Sequence, residues 1–97
     1  MKNISRSTID VFTETGKNLK TWRMLYSLKA SQIADRAGIS LVTLSKIENG
    51  DPTVSTAAFL EVLRSLGLLD NFAESLDPLN NDLGRARIND NMPKRIR

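Results

Sequence analysis

The chain contains no cysteine and no histidine. The first absence excludes disulfides and thiolate metal sites; the second removes the commonest metal ligand and general base. The usual catalytic constellations are missing with them, so the expectation is a non-enzymatic protein that uses no metal or cofactor. No run approaches the ~20 apolar residues that span a bilayer, and the opening MKNISRST lacks the apolar centre of a signal peptide. The expected location is the cytoplasm, with no membrane partner. No segment shows the apolar alternation of a strand, and there is no internal repeat.

What is present fits one small helical domain. The 97 residues are 40% hydrophobic, enough for a modest core. The net charge of +3 suits a polyanionic partner without demanding one. Its distribution is uneven. Residues 1–81 hold nine Lys/Arg against nine Asp/Glu, whereas residues 82–97 hold five against two. The excess is therefore a basic end rather than a basic domain.

Helical punctuation divides the chain. Ser7 and Asp10 have the spacing of a capping box at the start of a first helix, with Ile9 and Phe12 on one face, and Gly16 reads as its interruption. A second helix is expected from about Lys17 to Ser27, with Leu19, Trp22 and Leu25/Tyr26 as a core stripe. A third spans Ala30 to Ala37 and stops at Gly38. Ser40 caps a fourth, Leu41 to about Asn49, stopped by Gly50. Ser55 caps a fifth, striped by Phe59, Leu60, Leu63 and Leu66 and closed by Gly67. A short apolar turn or helix with Leu69, Phe72, Ala73 and Leu76 precedes Asp77-Pro78. Beyond it, LNNDLGRARINDNMPKRIR has no sustained period and reads as a flexible tail. The organisation expected is an N-terminal helical extension over 1–15, a helical domain over 16–77 and a basic tail over 78–97.

The most informative stretch is ASQIADRAGISLVTLSKIENG, residues 30–50. It presents a short helix with a small residue, Ala34, where a second helix would cross. A glycine at 38 suits a tight turn, and Ile33, Ala37, Ile39, Leu44 and Ile47 form an inner face. These are the steric requirements of a helix-turn-helix, whose second helix enters the DNA major groove. With Leu44 and Ile47 inward, Leu41, Val42, Ser45, Lys46 and Asn49 point outward and Thr43 lies at the front edge. Ser40, Leu41, Val42, Thr43, Ser45 and Lys46 are the candidate base-contacting residues. The two aliphatics suit thymine methyl groups and the others suit base edges or phosphates. Burial of Leu41 and Val42 against another helix or subunit is the competing reading. Lys29, Ser31, Gln32 and Asn49 are the candidate phosphate contacts.

Residues 16–68, through GKNLKTWRMLYSLKASQIADRAGIS, TLSKIENG and DPTVSTAAFLEVLRSLGL, resemble the Cro/CI (XRE-type) helix-turn-helix family. The resemblance implies an all-α, five-helix, lambda-repressor-like domain that works as a homodimer on a palindromic double-stranded DNA operator in the bacterial nucleoid. It also implies that Arg23 and Glu48 form a structural ion pair rather than DNA contacts. Two departures stand out: Ala30 replaces a phosphate-binding glutamine, and Leu41 opens a helix that is often polar or basic there. Readout would then lean on methyl contacts and DNA shape.

A narrower resemblance, in DRAGIS, ENGDPTVS, LRSLGLLDNF and the basic end after LGR, is to HipB-like antitoxins. It implies autorepression and a HipA-like serine/threonine kinase toxin as partner. Arg85, Arg87, Lys94, Arg95 and Arg97 could then contact DNA or the toxin. A stand-alone repressor and a protein-interaction module without DNA binding remain alternatives. The Phe59/Leu60/Leu63 edge and the Leu68-Leu69-Phe72-Leu76 segment are the candidate dimer surfaces, although both could be core.

Overall fold

A computed structural model describes residues 3–91. Among these residues six helices follow one another: α1 (Arg6–Leu25), α2 (Ala30–Ala37), α3 (Leu41–Glu48), α4 (Thr56–Ser65), α5 (Leu69–Ser75) and α6 (Asp82–Asn91). A 3₁₀ turn over Pro78–Asn80 lies between the last two, and no strand occurs among the described residues. The fold is the all-α arrangement expected.

Serine side chains start three of these helices. Ser5 Oγ accepts from Thr8 N–H at 3.2 Å, Ser40 Oγ from Thr43 N–H at 3.0 Å and Ser55 Oγ from Ala58 N–H at 3.0 Å. Each satisfies a donor that the first helical turn leaves without a partner. The first four helices share one closing motif. After α2, for example, Gly38 N–H donates to Asp35 O and Ile39 N–H to Ala34 O, at 3.1 and 3.0 Å. That 5→2 and 6→1 pairing forces the linking residue into the left-handed region. Gly38 occupies it at φ +70°, but after α1 the residue is Ser27, at φ +57°.

Nine hydrophobic residues form the buried core: Leu19 of α1, Ile33, Ala34 and Ala37 of α2, Leu44 and Ile47 of α3, and Val62, Leu63 and Leu66 of and just beyond α4. Ile33, Leu44 and Val62 are the largest side chains fully enclosed, so α2, α3 and α4 meet at one centre.

The N-terminal organisation differs from the sequence reading. The cap is Ser5, not Ser7, and α1 runs without a break through Gly16. That glycine is buried. A Cβ added there would sit 2.6 Å from the backbone oxygens of both Ile47 and Glu48. Gly16 is therefore a close-approach residue where α1 crosses the end of α3, and not a helix stop. The separate helices expected on either side of it are one rod. Trp22 also departs from its expected place in the core. It is 39% exposed and stacks at a centroid distance of 5.9 Å on the exposed Tyr26, while Leu25 points to solvent. Only Gly16 and Leu19 of α1 are buried, a narrower contact than the stripe suggested.

The C-terminal segment differs as well. Residues 82–91, read as flexible tail, form α6. Asn81 Oδ1 caps it by accepting from Leu83 N–H at 2.9 Å and Gly84 N–H at 3.1 Å. The helix packs on the Pro78–Asn80 turn, where Gly84 touches the Pro78 carbonyl. No described helix is long and apolar enough to cross a membrane.

Candidate nucleic-acid interface

Two helices and one turn build the candidate surface. Helix α2 buries Ile33, Ala34 and Ala37, and α3 buries Leu44 and Ile47 against them. Ala34 is 4% exposed, so its methyl is enclosed in the core that the two helices share. Between the helices, a Cβ on Gly38 would meet nothing within 4 Å. The glycine is required there by its left-handed backbone alone.

This packing decides what α3 presents outward. Leu41 and Val42 are 53% and 65% exposed, and Ser45 and Lys46 are exposed beside them. No other part of the described chain covers the two aliphatics, which removes the reading that another helix of this chain buries them. Thr43 is half-buried at the edge. Ser40 is in a different position. Its hydroxyl accepts from Thr43 N–H and donates to Thr43 Oγ1 at 3.0 Å, so it begins the helix while remaining exposed. Asn49, just past α3, donates from Nδ2 to Ser45 Oγ at a long 3.4 Å.

The start of α2 is open. Lys29 precedes the helix, and Gln32 Oε1 accepts from Lys29 N–H at 2.8 Å. This is half a capping box, because an ammonium has no lone pair with which to return the bond. The backbone N–H groups of Ala30 and Ser31 therefore keep the positive end of the helix unpartnered, with Lys29 and Ser31 exposed beside it. Gln32 retains its amide donors.

One guanidinium holds the two parts in register. Arg23 Nε donates to Glu48 Oε2 at 2.8 Å, Nη2 to Glu48 Oε1 at 3.1 Å, and Nη1 to the Leu28 carbonyl at 3.0 Å. The two side chains are only 12% and 10% exposed. The fork joins the last turn of α1, the approach to α2 and the last residue of α3. Its bond to Glu48 raises the Arg23 pKa further, so the charge is permanent. Asp51, in the loop after α3, accepts from Thr53 N–H at 2.8 Å and from its hydroxyl at 2.6 Å. Those bonds hold its carboxyl below the usual range.

Two cations of the basic end, Arg85 and Arg87, fall among the described residues. Arg85 donates to the Leu79 carbonyl at 2.9 Å and pairs with Asp82, so it fastens α6 to the turn before it. Arg87 is exposed. Lys94, Arg95 and Arg97 lie outside the described residues. Among the described residues there is no cluster of metal-ligating side chains.

Comparison with known proteins agrees with this geometry. Residues 19–68, half of the chain, match the HTH_3 family model, described as helix-turn-helix. No curated protein and no solved structure shows significant similarity. The match spans the last turns of α1, both motif helices and α4, which are the elements that position the exposed face of α3. The chain belongs to the XRE-type helix-turn-helix family of DNA-binding regulators.

Proposed function

We propose that the protein is a sequence-specific repressor that binds a palindromic operator as a homodimer, with α3 in the major groove. The observation carrying this reading is the outer face of α3: two exposed aliphatics beside Ser45 and Lys46, on a helix fixed at both ends by the Ser40 cap and the Arg23–Glu48 clamp. On an ordinary solvated surface Leu41 and Val42 gain nothing from exposure. Against thymine methyl groups they bury apolar area and discriminate A·T from G·C. The open start of α2, with Lys29 and Ser31, would fasten one phosphate and set the register. Two copies would place their α3 helices about 34 Å apart.

Selection of bound duplexes from a random pool, followed by anisotropy titration at physiological salt, tests the reading. The selected site should bind about 10³-fold tighter than a scrambled duplex, and Lys46→Glu should abolish binding with the helical circular dichroism unchanged. Equal affinity for selected and scrambled duplexes would refute it.

A second reading makes the same repressor an antitoxin. It is supported by the HipB-like character of DRAGIS, ENGDPTVS, LRSLGLLDNF and the basic end. In that role the chain would also bind a serine/threonine kinase encoded beside it. Co-expression with the neighbouring reading frame tests this: a stable complex that silences kinase activity supports it, and a neighbour unrelated to kinases removes it.

A further inference from the structure

The first turn of α3 and its cap carry no side chain that can pair bidentately with a base. Their residues are Ser40, Leu41, Val42, Thr43 and Leu44. The fork or amide that specifies guanine or adenine belongs to Arg, Lys, Asn or Gln, and none stands here. The two hydroxyls bond each other, Ser40 Oγ donating to Thr43 Oγ1 at 3.0 Å. Leu44 is buried. What the turn offers outward is therefore chiefly the hydrocarbon of Leu41 and Val42, both more than half exposed. Ser45 and Lys46, four residues on from Leu41 and Val42 respectively, stand exposed a turn further along the same face.

Hydrocarbon recognises one feature of a major-groove edge. Thymine shows O4 and a C5-methyl group there, whereas cytosine shows its N4 amino group and a bare C5. An aliphatic side chain neither donates nor accepts a hydrogen bond, so the methyl alone carries the signal. Cytosine methylated at C5 presents the same methyl at the same ring position. A turn built on Leu41 and Val42 thus accepts thymine and disfavours cytosine, but has no side chain with which to exclude 5-methylcytosine. The family match makes duplex DNA the occupant of this face, and Lys46 beside Val42 gives it the positive charge that a polyanion requires.

We infer that the first turn of α3 reads pyrimidine C5-methyl groups whichever base carries them, so that cytosine methylation regulates binding and 5-methylcytosine stands in for thymine. The inference rests on the operator reading and adds a class of ligand to it: a duplex whose methylation state, and not only its sequence, sets affinity. Each methyl buried against Leu41 or Val42 is worth about fourfold in affinity, and about 16-fold when both half-sites of a palindrome change together. A site with thymine at the contacted position binds at all times. A site with cytosine there binds weakly until it is methylated.

Anisotropy titration of the full chain against the duplex selected from the random pool tests the inference. Each thymine is replaced in turn, in both half-sites, by uracil, by cytosine or by 5-methylcytosine, with guanine opposite the last two. At one thymine or more, uracil should weaken binding by about 16-fold, because it removes the methyl and leaves every edge atom in place. Cytosine at that position should weaken binding at least as much, and 5-methylcytosine should recover most of the loss. Leu41→Ala combined with Val42→Ala changes only exposed side chains and should keep its helical circular dichroism. In that double variant the uracil penalty should vanish. Three results would each overturn the inference: no uracil penalty at any thymine, equally weak binding of cytosine and 5-methylcytosine, or a uracil penalty that persists in the double variant. The last would assign the effect of the methyl to DNA shape. Failure of the operator reading looks different: no duplex would be selected over a scrambled one.

Discussion

Replacing Gly16 by alanine sets two opposed effects against each other, and the structure decides the sign. In an exposed helix interior, alanine is favoured over glycine by about 1 kcal/mol. Gly16 sits mid-helix in α1, so propensity alone predicts a more stable protein by that amount. The added methyl, however, would lie 2.6 Å from two backbone oxygens, those of Ile47 and Glu48. Neither is the free end of a flexible side chain. Ile47 O already accepts Gly50 N–H at 3.1 Å, in the closure of α3, so it cannot swing away without losing that bond. Relief therefore requires α1 to rise from α3, loosening Leu19 and the Arg23 clamp. Overpacking of this kind costs about 1–3 kcal/mol in well-packed sites, with rigid backbone partners at the upper end. The net expectation for Gly16→Ala is a loss of about 1–2 kcal/mol. Equilibrium urea unfolding reads it directly: with a slope near 1 kcal/mol/M, the midpoint should fall by roughly 1–2 M. A midpoint that rises would show Gly16 to be an ordinary helical glycine and would refute the close approach.

Three other substitutions follow from the same geometry. Ser27→Gly should raise stability by about 0.5–1 kcal/mol in the same urea assay, because it relieves the one left-handed helix closure that lacks a glycine. Glu48→Ala should cost about 2–4 kcal/mol by stranding the enclosed Arg23 guanidinium, with Glu48→Gln in between; equal losses would show that the charge is not what matters. The Asp51 carboxyl has a lower pKa in the folded state than in the unfolded chain, so its contribution is complete at neutral pH. That contribution fades below about pH 4, as protonation proceeds through the depressed value. In Asp51→Asn the urea midpoint should therefore depend less steeply on pH over that range, and parallel profiles would contradict the assignment.

The motif itself was legible because its determinants are local. Ser40 capping, a glycine at 38 and apolar residues three apart act within a few residues, and α2 and α3 fall where those residues place them. Gly16 is ambiguous in sequence for the converse reason. A glycine can end a helix or admit another backbone, and the difference lies in Ile47 and Glu48, some thirty residues away in sequence. Helix α6 is hard to read because it has no apolar period and packs chiefly on the turn before it, although Asn81 followed by Asp82 is a capping pattern open to inspection. The exposure of Leu41 and Val42 was read from helical geometry. That of Trp22 was not, since a stripe at helical spacing does not reveal how little of a long helix its neighbours cover.

The continuity of α1 has a mechanical consequence. A helix of 20 residues is a rod about 30 Å long. Its first half walls an open apolar groove shared with α4 and α5, its middle rests on the end of α3, and its last turn carries Arg23. No flexible joint separates these three places. A load applied at the first turns of α1 would therefore reach the reading helix through a strut rather than a tether.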